Sequence, residues 1–158
     1  MTFDALLSHT DPTEKSVPNE PPTITAPYRI AFIGEAPGFD EVNLGQPFVG
    51  QSGQLLDRAL HNVRIARKAS LIANVCQIQP PNNFINRFSW NGDEIQSGIN
   101  QLRQDIQAFK PNICVLLGNI PLKLAKDPVR VHPLVPKAFS HSITDWRGSL
   151  FKCLVPES

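Results

Sequence analysis

Apolar residues along this chain follow two rhythms. Three short runs are almost continuously apolar: "RIAFIG" (29–34), "SLIANVCQI" (70–78) and "NICVLLG" (112–118). That is how strands buried on both faces of a parallel sheet read. A fourth such run, "SLFKCLVP", covers 149–156. Between the runs the apolar positions return every three or four residues. In "GQLLDRALHNV" they are Leu55, Leu56, Ala59, Leu60 and Val63; in "GDEIQSGINQLRQDIQAFKP" they are Ile95, Ile99, Leu102, Ile106 and Phe109, with Pro111 just beyond the end. Both patterns predict amphipathic helices, and "NIPLKLAK" predicts a shorter one. Strands alternating with helices predict an α/β domain, a parallel sheet covered on both faces, with ligands at the carboxyl ends of the strands.

The N-terminal stretch breaks this pattern. Residues 1–28 hold five of the 15 prolines, with Ser, Thr and Glu between them. "TDPTEKSVPNEPPTITAP" cannot propagate a helix or a ladder and predicts a flexible arm, so the domain is expected from residue 29 onward. A chain of 158 residues fits one compact domain, and 41% hydrophobic with 18% charged residues are globular values. Net charge is +1, but residues 1–50 carry seven acids against two bases, whereas 51–152 carry thirteen bases against six acids. The basic part could meet a phosphate backbone or be a solvated surface. Cys76, Cys114 and Cys153 each lie in or near an apolar run without CxxC spacing, which predicts buried thiols and no metal site. The sequence shows neither a secretory leader nor an apolar stretch long enough for a bilayer, so an intracellular protein with no membrane partner is expected.

The candidate chemistry lies where strands end. "GEAPGFDEVNLGQPFVG" follows the first strand and is far longer than a plain connection needs. It matches neither GxGxxG nor GxxxxGK[ST], and Glu35 would repel a phosphate held there. A carboxylate beside the backbone of Gly34, Ala36 and Gly38 suits orienting a water or facing a developing cation. Phe48, fixed between Pro47 and a glycine-flanked valine, is either core or a stacking platform for a flat ligand. Asn74 closes the second strand run; it is either a turn cap or a reader of a pyrimidine edge, since a side-chain amide offers a donor and an acceptor together.

Taken together, "GEAPGFDEVNLGQPFVGQSGQLLDRAL", "ANVCQIQPP", "KPNICVLLGN" and "ITDWRGSLF" resemble, in order, the blocks of the uracil-DNA glycosylase superfamily, most of all its iron–sulfur, thermophilic-type branch (family 4). The resemblance covers about residues 29–156. It implies a three-layer α/β/α fold around a four-stranded parallel sheet. It also implies an enzyme that flips uracil out of DNA and hydrolyses its N-glycosidic bond in base excision repair. By position it makes Glu35 the acid of the water-activating loop, with Glu41 a second, catalytic acid. Gly34, Ala36 and Gly38 line the substrate, Phe48 stacks on the flipped base and Asn74 reads its edge. A carboxylate can stabilise the oxocarbenium-like sugar of such a cleavage.

Three departures from the family pattern stand out. The iron–sulfur relatives carry a cysteine four residues after the asparagine, where this chain has Ile78, and the N-terminal arm has no cysteine pair; no cluster and no other cofactor are expected. "PPNNFINRFSWNG" lacks the histidine of the covalent-trapping branch, so no covalent adduct is expected. The family's final His-Pro-Ser/Ala motif would begin where this sequence reads "CLVPES", and His132–Pro133 lies on the wrong side of the last strand run. The expectation is therefore a C-terminally incomplete domain, lacking its last helix, that excises uracil slowly or not at all unless a further segment or partner completes it. The alternatives are a non-catalytic nucleic-acid-binding or replication-associated module, or a protein–protein module completed by its partner.

Overall fold

The structure is a computed structural model and describes residues 15–125. Three parallel strands form its centre: β1 (Ile30–Gly34), β2 (Leu71–Asn74) and β3 (Ile113–Leu116), in the order β2-β1-β3. Helices α1 (Phe39–Leu44) and α2 (Gln51–Asn62) follow β1, α3 (Asp93–Phe109) follows β2, and α4 (Asn119–Ala125) follows β3. This is the α/β alternation that the apolar rhythm predicts. Among the described residues the sheet has three strands, not four; the run expected as the fourth, 149–156, lies outside them, as do His132 and Cys153.

The two faces of the sheet are packed by different helices. Ala31, Ile33, Leu71 and Ala73 meet Ile95, Ile99 and Leu102 of α3, with Val75 and Cys76 in the same cluster. Ile30, Phe32 and Ile72 meet Leu56 and Leu60 of α2 on the other face, together with Phe48. Every residue of β1 and β2 is buried, as strands covered on both faces require. Helix α3 ends where Lys110 takes a left-handed conformation (φ 51°) and its N–H reaches the Ile106 carbonyl, one residue before Pro111. In α2 the apolar pattern overstates the core: Leu55 and Val63 are exposed. Leu55 instead faces a cleft at the carboxyl end of the sheet.

The flexible-arm expectation fails for the described part of the N-terminal stretch. Residues 15–20 lie antiparallel along the outer edge of β2 and the segment that follows it. Val17 N–H donates to the Gln77 carbonyl at 2.8 Å, while Glu20 and Ile72 exchange two backbone hydrogen bonds at 2.8 and 3.0 Å. The Val17 side chain is buried. An edge strand offers unpaired backbone groups, and the residues that donate to it are not the prolines: Pro18, Pro21 and Pro22 fall between or beyond the bonded positions.

Candidate active site

Gly34 and Asn74 are register partners at the carboxyl ends of β1 and β2, so the parallel pairing itself sets the two candidate residues side by side. Gly34 leaves room for what lies above it. A Cβ there would sit 2.6 Å from Asn74 Oδ1 and collide with the Phe48 ring. The Phe48 ring and the Asn74 amide thus converge over one glycine. Glu35, Ala36, Pro37, Gly38 and Leu55 complete the wall of a cleft of about 540 Å³, which Glu41, Leu56, Pro80, Asn83 and Leu117 also line.

Phe48 is both core and cleft wall: it is buried in the α2-side cluster, and its ring borders the cleft. Its φ of 55° is unusual for a bulky aromatic, a conformation that persists only where the surroundings impose it. Three contacts impose it. Arg67 donates to the Pro47 carbonyl at 2.7 Å and to the Phe48 carbonyl at 3.2 Å. Arg67 is itself held by Glu20 at 2.9 Å and Asp57 at 3.0 Å; burial weakens its charge, and these two carboxylates more than restore it. From the other side Gly53 packs so tightly on the Phe48 backbone that no side chain fits there.

The two glutamates of the loop differ sharply. Glu41, in the first turn of α1, is buried, and its carboxylate is fully used by its own loop. Oε2 accepts from Gly38 N–H at 3.0 Å, and Oε1 accepts from Val49 and Gly50 N–H at 2.9 and 2.8 Å. Burial pushes its pKa up, but the amides of Gly50, of Glu41 itself, of Val49 and of Gly38 outweigh burial and lower it. This geometry gives Glu41 a holding role rather than the catalytic one expected from its place in the motif. Glu35 is half-buried, and burial raises its pKa. Among the described residues its carboxylate has no hydrogen-bond or ion-pair partner. Its backbone is fixed, with its carbonyl accepting from Cys76 N–H at 3.0 Å and that of Gly34 from Val75 N–H at 2.9 Å.

Asn74 is 3% exposed. Its backbone is satisfied: the N–H donates to Asn19 Oδ1 at 2.9 Å, and the carbonyl accepts from Gln77 Nε2 at 2.8 Å. Its side-chain amide makes no hydrogen bond among the described residues, which is rare for a buried polar group. Asn19, in the docked N-terminal stretch, also donates to Asp105 of α3 at 2.6 Å. Sequence reasoning missed Asn19, Arg67 and Gly53. A lone Asn among prolines, a lone Arg in "IARKAS" and a helix-start Gly carry no motif.

No set of described donors fits an iron–sulfur cluster, and Cys153 lies outside the described residues. Among the described residues no three His, Cys, Asp or Glu side chains come together. The Cys76 thiol lies inside the α3-side core, 3.4 Å from the Ile78 carbonyl oxygen and 3.5 Å from that of Glu94. No described helix is long and apolar enough to cross a membrane.

A buried amide, an aromatic wall and a carboxylate without a described partner thus share one cleft at the carboxyl ends of the strands of an α/β domain. The model of the Uracil DNA glycosylase superfamily matches residues 21–156, and the chain belongs to that superfamily. Its curated relatives are of the type-4 branch. It is 38% identical over 89 residues to a Type-4 uracil-DNA glycosylase of Archaeoglobus fulgidus, covering 56% of this chain and 43% of that protein. With the enzyme of the same name from Pyrobaculum aerophilum it shares 38% over 94 residues, 60% of this chain and 46% of the relative. With that of Thermotoga maritima it shares 36% over 120 residues, 76% and 59%. The matched part spans about half the length of these relatives.

Proposed function

We propose that the cleft receives a uracil base turned out of a DNA strand and that the site serves hydrolysis of its N-glycosidic bond. The observation that carries this reading is the Asn74 amide, buried, without a partner among the described residues, and set beside the Phe48 ring over Gly34. Uracil is flat and presents an N–H donor next to a carbonyl acceptor on one edge, which an amide complements. Unstacking a base costs a few kcal/mol. Stacking on an aromatic ring returns about 1–3 kcal/mol, and the buried amide adds hydrogen bonds.

Glu35 is the group left for chemistry. As the C1′–N1 bond lengthens, its electron pair moves to the base and positive charge builds on the sugar. An ionised Glu35 faces that charge and accepts a proton from the attacking water, whose oxygen becomes bonded to C1′. The raised pKa suits a base that must take up a proton near neutral pH. Glu41 holds the loop that presents both Glu35 and Phe48. No step is routed through iron; we infer that the protein works without a cluster, and iron analysis together with the visible spectrum of the purified protein checks that.

The test is an oligonucleotide carrying one U, incubated with the chain and then treated with alkali. Binding that prefers the U strand over an otherwise identical T strand and is lost in Asn74→Ala is the expected result, and whatever slow strand cleavage the chain supports is lost in Glu35→Ala. Equal binding of the two strands, insensitive to Asn74→Ala, overturns the reading.

A further inference from the structure

A second groove of about 720 Å³ adjoins the cleft, and the two share Pro80 and Asn83 as a common wall. Its other walls include Lys15, Phe39, Asn82 and Phe88. The two hollows differ in charge. Glu35 and Glu41 line the cleft, whereas among the described residues the groove is lined by one lysine and by no carboxylate. Phe39, the first residue of α1, exposes 60% of its surface there.

The shared wall is rigid. Asn82 and Asn83 both adopt left-handed conformations, with φ of 55° and 60°, which neighbouring non-glycine residues rarely do together. Asn83 is held from both sides: its N–H donates to the Pro80 carbonyl at 2.9 Å, and Gln79 Nε2 donates to its Oδ1 at 2.8 Å. Gln79 N–H in turn donates to the Lys15 carbonyl at 3.0 Å, which ties the docked N-terminal stretch to the same wall.

We propose that this groove seats the nucleotide adjacent to the one in the cleft, its base stacked on Phe39 and its phosphate beside Lys15. The inference rests on the cleft holding a flipped base. Its own support is the continuity of the two hollows across one short wall, the exposed ring, and a lysine as the charge among the described lining residues. Phe39 and Lys15 then add sequence-independent hold on the strand, while Asn74 does the reading.

The test measures dissociation constants for a single-stranded oligonucleotide with one U and for free uracil, on a Glu35→Gln background that prevents turnover. Phe39→Ala weakens oligonucleotide binding about 5- to 100-fold and leaves uracil binding unchanged; the exposure of Phe39 makes misfolding an implausible cause. Lys15→Ala lowers the slope of log affinity against log salt by about 0.7, one phosphate contact on a single strand. A 2-aminopurine placed on each side of the U in turn is quenched on one side, and that quench disappears in Phe39→Ala. Asn74→Ala separates the two ideas, because it weakens uracil and oligonucleotide alike if the cleft reading is right. Unchanged uracil binding in Asn74→Ala sinks that reading. An Asn74 effect with no Phe39 effect and no quenched position sinks the groove alone, and so does a Phe39→Ala variant that loses uracil and oligonucleotide binding equally.

Discussion

The loop from Gly34 to Gly50 has two halves that behave in opposite ways. In the front half, Glu35 to Gly38, the carboxylate has no described partner and its pKa is pushed up by burial. In the back half, Glu41 to Gly50, the carboxylate binds three backbone N–H groups and its pKa is lowered. Two glutamates six positions apart in one motif thus serve different ends. One is left without a described partner; the other holds the backbone that carries Phe48 at φ 55°. A reactive group needs a rigid support, and here the support uses the same residue type as the group it supports.

The sharpest way to break this contrast is to exchange the two roles by mutation. Glu35→Gln should cut uracil excision by about 10²–10⁴-fold while leaving the urea midpoint unchanged or higher. Glu41→Ala should instead strand three backbone donors in a buried setting and lower stability by about 2–4 kcal/mol, read as a lower urea midpoint. If Glu41→Ala kept full stability and lost only activity, Glu41 would be a catalytic acid after all.

Arg67 sharpens the same contrast from outside the loop. Arg67→Met removes both hydrogen bonds to the Pro47–Phe48 turn and leaves Glu20 and Asp57 without their partner. We expect a loss of about 1–2 kcal/mol and uracil binding about five- to tenfold weaker, because the ring is no longer fixed. Unchanged uracil affinity in a folded Arg67→Met protein would show that Phe48 holds its place without the clamp.

Much of this was legible in the sequence, and what was not has a common cause. The strand runs at 30–34 and 71–74 and the helical faces of "GQLLDRALHNV" and "GDEIQSGINQLRQDIQAFKP" announce themselves because burial enforces their periods. Gly34 and Glu35 stood out because a long glycine-rich loop after a buried strand needs a reason, while Phe48 and Asn74 each kept two readings until the family resemblance paired them; all four line one cleft. Arg67 was not, since its partners lie 47 positions away at Glu20 and 10 away at Asp57. The docked N-terminal stretch was hidden because proline content reports what a segment cannot do alone, not what an open sheet edge does for it. Leu55 misled because periodicity says which residues share a face, not whether that face meets core or cleft. The holding role of Glu41 depends on where three amides point, which only the folded loop decides.

A smaller effect should appear in the pH dependence of stability, with opposite signs for the two glutamates. Glu35 has a raised pKa in the folded state, so the fold binds its proton more tightly than the unfolded chain does. Its contribution therefore declines as pH rises from the ordinary carboxylate range through the raised value. Glu41 has a lowered pKa; its contribution is present above the ordinary range and is lost as pH falls through the lowered value. Urea midpoints followed from acid to neutral pH should show Glu35→Gln gaining on the parent protein at the neutral end, and Glu41→Gln losing less than the parent toward the acid end. The same sign for both variants would contradict the division of roles.

The central claim is that one flat base lies against Phe48 while Asn74 reads its edge. The most direct measurement is a titration of free uracil followed by NMR at the Asn74 side-chain amide and the Phe48 ring. The account predicts that both sets of signals shift together and saturate with a single dissociation constant, and that in Asn74→Ala the Phe48 shifts vanish or require far more uracil. Uracil that moves neither group, or that binds Asn74→Ala as tightly as the parent protein, would contradict it.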